Sequence, residues 1–324
     1  MKRLIAAFDG FTLALLAVVA LASILPVPAA YDGGLGIVVD TAVVLLFFLH
    51  GAKLPREAVI AGWLNWRLQL AVVAATFGLF PLLGLLIAPA VRGLGLDAAL
   101  AAGLLYLCCL PSTVQSSIGF TSIARGNVAA AVCAATLSNL AGILLTPLLT
   151  GLLLSARAGA AWSSIGTIAW QLLLPFALGQ IARPLVGEWI ARRKAVIGLV
   201  DRGAILLMVY AAFGAAVREG LWGRLSLLEL AGLVASCCLL LAIVLLATRF
   251  AARLLGFPRA DETVMVFCGS KKSLVTGVPM ANILFSPAAA GVAVLPLMIF
   301  HQIQLMVCAV IARNYARAAE EGAR

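Results

Sequence analysis

Charge is scarce in this chain. Asp, Glu, Lys and Arg together make up 11% of the sequence, where a soluble domain carries about 25%. There is too little charge to cover a soluble surface. Regular polar–apolar alternation is also missing, which excludes a transmembrane β-barrel. The seven cysteines (Cys108, Cys109, Cys133, Cys237, Cys238, Cys268 and Cys308) form neither C-x-x-C nor zinc spacing, lie in apolar stretches and read as small buried side chains. No G-x-S-x-G, H-E-x-x-H or paired intramembrane carboxylates occur, so no enzyme is expected. Without a G-x-x-x-x-G-K-[ST] loop the chain alone is not a primary pump.

What fills the sequence is apolar: 64% hydrophobic residues and a mean hydropathy of +1.12. Runs close to the ~20 residues that cross ~30 Å of hydrocarbon recur along its whole length. The fold class is therefore an all-α polytopic membrane protein. Ten transmembrane helices are expected near 10–26, 35–50, 68–89, 98–124, 127–154, 160–183, 196–216, 225–248, 262–285 and 288–315, with Pro and Gly at the joints. The net charge of +10 sits mostly between the apolar runs and reads as a topology signal, not a nucleic-acid surface. With the N-terminus inside, inner segments hold 17 Lys and Arg and outer segments 4, leaving Lys271 and Lys272. Both termini are then cytoplasmic, and the membrane is the cytoplasmic (inner) one if the chain is bacterial. The first 30 residues have the pattern of a cleavable leader, but the repeat described next needs them as a retained helix.

The two halves, 1–158 and 159–324, match at a shift of 159–161 residues: Gln69 with Glu229, Asp40 with Asp201, and Cys109 with Cys268. Asp40, Asp201 and Glu229 read as interfacial, and "RKAVIGLVDR" (193–202) as a solvated inner loop leading into a helix. An odd five helices per half makes the second repeat inverted, as in secondary transporters.

Polar breaks interrupt the fourth and ninth helices. In the fourth, Pro111 is followed by Ser112, Thr113, Gln115, Ser116 and Ser117. In the ninth, Gly269, Ser270, Lys271, Lys272, Ser273, Thr276 and Pro279 form the partner break. Pro111, Gly269 and Pro279 are the expected helix breakers. Irregular backbone at membrane depth persists only when protein or a watery cavity surrounds it. Two half-helix pairs should therefore meet near the midplane, with positive N-terminal ends that suit an anion. A midplane lysine costs about 2.5–3.5 kcal/mol, so Lys271 and Lys272 either snorkel, pair with a carboxylate, or face the crossing as a substrate counter-charge. Each hydroxyl could equally bond back to its own helix. Thr136, Ser138, Asn139, His301, Gln302 and Gln304 are secondary candidates on the fifth and tenth helices, His301 as a packing residue or a proton carrier.

The run "LPSTVQSSIGFTSIARGNVAAAVCAATLSNLAGILLTPLL" and the later "FCGSKKSLVTGVPMANILF" resemble the bile acid:sodium symporter family, most closely its SBF-like branch. The resemblance covers essentially the whole chain and is most specific over 111–127 and 268–279. It implies a core domain of helices 3–5 and 8–10 and a panel domain of helices 1, 2, 6 and 7. It also implies alternating access, with sterol-like or other amphipathic organic anions as cargo. In sodium-coupled members an acidic residue on the ninth helix helps bind the cation; the resemblance puts Phe267 there, and Ala131 and Ala135 at two hydroxyl positions, while Ser117 matches a polar one. The sodium site thus reads as dismantled, with no cofactor or metal expected, and Lys272 as the cation that replaces it in bridging the crossed helices.

The expected activity is secondary active transport of a small organic anion across the bilayer, coupled to protons, to exchange or to nothing, with monomer and homodimer both open. Two alternatives remain: a regulatory or lipid-binding membrane protein without turnover, and a sodium-coupled symporter with a displaced sodium site.

Overall fold

Inside hydrocarbon every backbone N–H and C=O has to be paired within the protein, so solidly apolar segments fold as helices. The computed structural model describes residues 10–53, 65–93, 95–155 and 162–321. Among the described residues helices are joined by short turns and there is no strand. In chain order they are α1 (Gly10–Ile24), α2 (Asp32–Lys53), α3 (Trp66–Gly93), α4 (Ala98–Cys108), α5 (Gln115–Ile123) and α6 (Val128–Ser155). The second half contributes α7 (Trp162–Arg192), α8 (Lys194–Arg218), α9 (Leu227–Leu254), α10 (Arg259–Gly269), α11 (Leu274–Leu284) and α12 (Pro287–Glu321). Six of them (α2, α3, α6, α8, α9 and α12) are long and apolar enough to span a membrane. The chain is a multi-pass membrane protein.

The interruptions fall where the sequence puts them. α4 has 11 residues, about 16 Å at 1.5 Å per residue, and so crosses only half of the hydrocarbon. Asp97 caps its start by accepting from the N–H groups of Ala99 (2.7 Å) and Leu100 (3.4 Å). α10 also has 11 residues, and Asp261 and Glu262 in its first turn complement the dipole.

Three expectations need correction. Pro279 lies inside α11 and does not break it, because the absent N–H costs one bond to the turn before while the helix continues on both sides. Within 193–202 only Arg193 is a turn; Lys194 starts α8, and its Asp201 pairs with Lys53 of α2, so the charges stabilise a helix instead of hydrating a loop. Six cysteines are buried, but Cys238 is exposed on α9, where an apolar thiol can face lipid. The boundary at 158–159 lies outside the described residues, as do Lys2, Arg3, Arg56, Arg157 and Arg324 of the charge count.

Packing divides the chain into two units. The first holds Met1–Leu54, Ala160–Ser226 and Val278–Val294. Its main contact is α2 against α7, where glycines let the backbones touch: a Cβ on Gly51 would lie 2.1 Å from the Phe176 carbonyl oxygen, and one on Gly179 2.0 Å from that of Phe48. Gln180 Nε2 donates to the Gly51 carbonyl at 2.8 Å. α8 joins this unit through Tyr210, which donates to the Leu25 carbonyl at 2.7 Å, and through Arg218, whose Nη2 donates to both carboxylate oxygens of Asp32 at 2.7 Å.

The second unit holds Pro55–Gly159, Leu227–Gly277 and Leu295–Arg324. One end of it is a polar clasp around the start of α10. Asp261 accepts from Asn65 (3.0 Å) and Asn127 (2.8 Å), while Glu262 accepts from Tyr315 and faces Arg249 and Arg253 at 3.5 Å. At the other end of α10 its break meets that of α4 and α5.

Overpacking a buried contact costs about 1–3 kcal/mol. Gly179→Val should therefore lower the melting temperature in detergent markedly, whereas Gly36→Ala on α2, with nothing within 4 Å of a new Cβ, should not. Equal melting of the two variants would deny the glycine contact its role.

Candidate functional site

A helix that stops inside a membrane leaves its last carbonyls without N–H partners. The stretch after α4 settles this one by one. The carbonyls of Tyr106 and Leu107 accept from the N–H groups of Cys109 (2.9 Å) and Leu110 (3.3 Å). Thr146 Oγ1 donates to Cys109 at 2.9 Å, the Ser273 N–H to Pro111 at 2.9 Å, and Asn139 Nδ2 to Ser112 at 2.8 Å. The carbonyls of Cys108 and Leu110 are left, and both accept from Lys272 Nζ, at 2.8 and 2.6 Å.

The third hydrogen of that ammonium goes to α3. Residues Ala75–Leu79 make a π turn, in which the Phe80 N–H bonds to the Ala75 carbonyl. The next residue, Pro81, has no N–H. Together the π turn and the proline leave the Thr76 carbonyl without a helical donor, and Lys272 Nζ donates to it at 2.8 Å. The Phe80 ring covers the amine at 4.0 Å from its centroid. Lys272 is 0% exposed, and its three N–H donors match three carbonyls on two elements. Its backbone is held too: Gln304 Oε1 accepts from the Lys272 N–H (2.9 Å) and Gln304 Nε2 donates to its carbonyl (3.0 Å).

Lys271 points elsewhere. Its Nζ donates to the Ser116 carbonyl in the first turn of α5 at 2.9 Å, and lies 3.9 Å from the Phe120 ring centroid and 5.4 Å from that of Phe267. Beside it Thr113 Oγ1 contacts Ser116 Oγ (2.7 Å) and Ser117 Oγ (3.1 Å), and Ser117 Oγ donates to the Phe267 carbonyl at 3.0 Å. Among the described residues no carboxylate pairs with either lysine.

A second polar patch joins α6 to the start of α11. Ser138 Oγ accepts from the Ser112 N–H (2.9 Å), Thr276 Oγ1 donates to Asn139 Oδ1 (2.8 Å), and Ser273 Oγ caps α11 by accepting from the Thr276 N–H (3.1 Å). Ser112 Oγ is buried there without a partner.

Most of the residues singled out by sequence thus converge. Ser270 Oγ instead bonds back to the Val266 carbonyl at 2.5 Å, within its own stretch of chain. Gln115 is exposed, Thr136 is buried on α6, His301 reaches the network through Gln304 at 2.9 Å, and Gln302 is half-buried beside it. Sequence reasoning missed Thr76, Thr146 and Tyr106, whose hydroxyl donates to the Gly277 carbonyl at 2.7 Å. Pro81 inside a long apolar helix was the available signal for the first. Nothing in the sequence marked the other two.

The family model of the SBF-like CPA transporter family matches residues 9–317. Protein PA2026 of Pseudomonas aeruginosa is 55% identical, over 97% of this chain and 95% of its own length. YfeH of Escherichia coli, whose name includes the word symporter, is 52% identical over 98% of this chain and 96% of its own. The rat protein named sodium/bile acid cotransporter 7 is 28% identical over 83% of this chain and 80% of its own.

Leaving a buried polar group unpaired costs about 1–3 kcal/mol. Lys272→Met strands three carbonyls, so it should destabilise the protein more than Lys271→Met, which strands one. Thiol-reactive dye unfolding, with the six buried cysteines as reporters, measures both. Equal loss in the two variants would contradict the unequal bonding.

Proposed function

The chain belongs to the SBF-like CPA transporter family, and we propose that it is a secondary carrier of an amphipathic organic anion that holds a lysine where relatives bind a coupling cation. It is a membrane transporter and not an enzyme, with a small-molecule substrate. The finer reading is ours. In the proposed fold α1, α7 and the two broken pairs α4–α5 and α10–α11 bring the six long spans to ten crossings, arranged as two inverted five-helix repeats. Helices 3–5 and 8–10 form the core and helices 1, 2, 6 and 7 the panel, with both termini cytoplasmic and the inner membrane as the location. Substrate passes by alternating access.

One observation carries this reading: two fully buried lysines at the junction of the breaks, neither paired to a carboxylate among the described residues. Their positive charge favours an anion. It also repels a further cation, by about 3 kcal/mol at ~5 Å and an effective dielectric near 20. A name such as sodium/bile acid cotransporter 7 makes bile-acid-like carboxylates the first substrates to try. It does not carry sodium coupling with it. At the position that the resemblance assigns to an acidic residue stands Phe267, packed against Phe120 and Tyr315 with ring centroids 6.0 and 6.2 Å away. The ammonium of Lys272, on three carbonyls, supplies the bridging charge instead.

Uptake of a radiolabelled bile-acid-like carboxylate into proteoliposomes tests the proposal. Accumulation should be unchanged when choline replaces sodium; strict sodium dependence would overturn the substitution. Binding without accumulation under any gradient would instead identify a regulatory protein.

Ser117→Ala breaks the bond from α5 to the Phe267 carbonyl and should weaken uptake several-fold. Thr41→Ala, which loses only a bond within α2 (2.7 Å to Ile37), should leave it intact. Indistinguishable uptake by the two variants would dismiss the hydroxyl cluster.

A further inference from the structure

The two lysines are bonded so differently that they cannot share one task. An ammonium has three N–H donors. Lys272 spends all three on carbonyls, at 2.6–2.8 Å. Lys271 spends one, on the Ser116 carbonyl, and the Phe120 ring lies over its charge at 3.9 Å. Lys271 is 0% exposed, but the ring that covers it is only half-buried, and its helix neighbours Gln115 and Gly119 are exposed. Phe120 therefore lies between the amine and the outside of α5.

We propose that Phe120 is a movable cover over Lys271, and that the anionic group of the substrate takes the place of the ring to pair with the amine. This rests on the reading of the chain as an anion carrier and assigns the contact within it. A cation–π contact is worth about 0.5–2 kcal/mol, whereas charge-assisted hydrogen bonds in a dry site are stronger, so a carboxylate or sulfate can displace the ring and a neutral molecule cannot. The exchange needs no new charge and no movement of Lys272. It makes Lys271 the residue that touches the substrate and Phe120 the residue that selects for charge. Phe267 flanks the amine beside Phe120, at 5.4 Å and with Tyr315 edge-on behind it at 6.2 Å, and it is fully buried, so Phe120 is the ring with room to move.

Acylation by an anionic N-hydroxysuccinimide ester, located by mass spectrometry on the whole protein in detergent, reads the cover directly. Phe120→Ala should raise modification of Lys271 roughly tenfold, in line with the loss of one cation–π contact and of the ring's bulk, with Lys272 unchanged. Phe120→Leu keeps most of the volume while removing the ring, and should act in the same direction should the alanine variant fold poorly. Added deoxycholate, an amphipathic carboxylate, should slow the reaction at Lys271 and spare exposed Lys194. Equal modification of Lys271 in wild type and both variants overturns the cover, even where proteoliposome uptake of deoxycholate shows that the anion is carried. Faster modification that deoxycholate does not slow overturns the pairing of the amine with the anion.

Discussion

The structure of the second unit depends on one ammonium placed on three carbonyls. Two interrupted helices cannot meet inside a bilayer unless their freed backbone groups are paired, and water is not there to pair them. Lys272 serves the end of α4 and the π turn of α3 at once. Its insertion penalty of about 2.5–3.5 kcal/mol is offset by three charge-assisted hydrogen bonds, each worth about 1.5–3 kcal/mol. The negative end of the α4 dipole adds to this. A carboxylate here would meet carbonyl oxygens, and a neutral hydroxyl could satisfy only one of them. Three acceptors converging on one point call for a cation, and an ammonium meets them with its three hydrogens.

The breaks were legible because they combine signals that rarely occur together in an apolar run: a proline or glycine, then hydroxyls, then charge. Helix boundaries followed from run length and missed mainly at the ends, where α7 reaches Arg192 and α12 reaches Glu321 on residues polar enough to leave the hydrocarbon. Pro279 misled for the same reason that Pro111 informed. A proline marks a lost hydrogen bond, and only the surroundings decide whether the helix ends there. The acceptors of Lys272 were invisible, because they are main-chain atoms and every residue has a carbonyl. What frees the Thr76 carbonyl is a π turn followed by Pro81, a conjunction that hydropathy does not weigh. The hydroxyls divided as their chemistry allows: Ser270 turns back on its own helix, while Thr146, Ser117 and Ser138 reach across to other segments.

Lysine adjacency, which first looks like repulsion, is resolved by direction. Neighbouring residues at a helix start diverge, and here one amine enters the α3–α4 side while its neighbour enters the α5 side. Each aromatic neighbour sits on a charge, Phe80 over Lys272 and Phe120 over Lys271, at 4.0 and 3.9 Å. Aromatic faces lower the cost of a buried cation without neutralising it, so positive charge remains in the junction.

That residual charge separates two kinds of carrier. A sodium ion that organises a crossing has to be released on the far side, so binding and release tie the transport cycle to the gradient of that ion. An ammonium fixed to the chain organises the crossing equally well but never leaves. Under the proposed function such a carrier would forgo the sodium gradient at that position, and the substrate itself or a proton that travels with it would do the reversing. Of the two amines, the one bound by three carbonyls is costly to move and the one bound by a single carbonyl is not. The junction therefore contains one amine held by three carbonyls and a second, under a ring, held by a single carbonyl, and it is this second one that we propose changes partners.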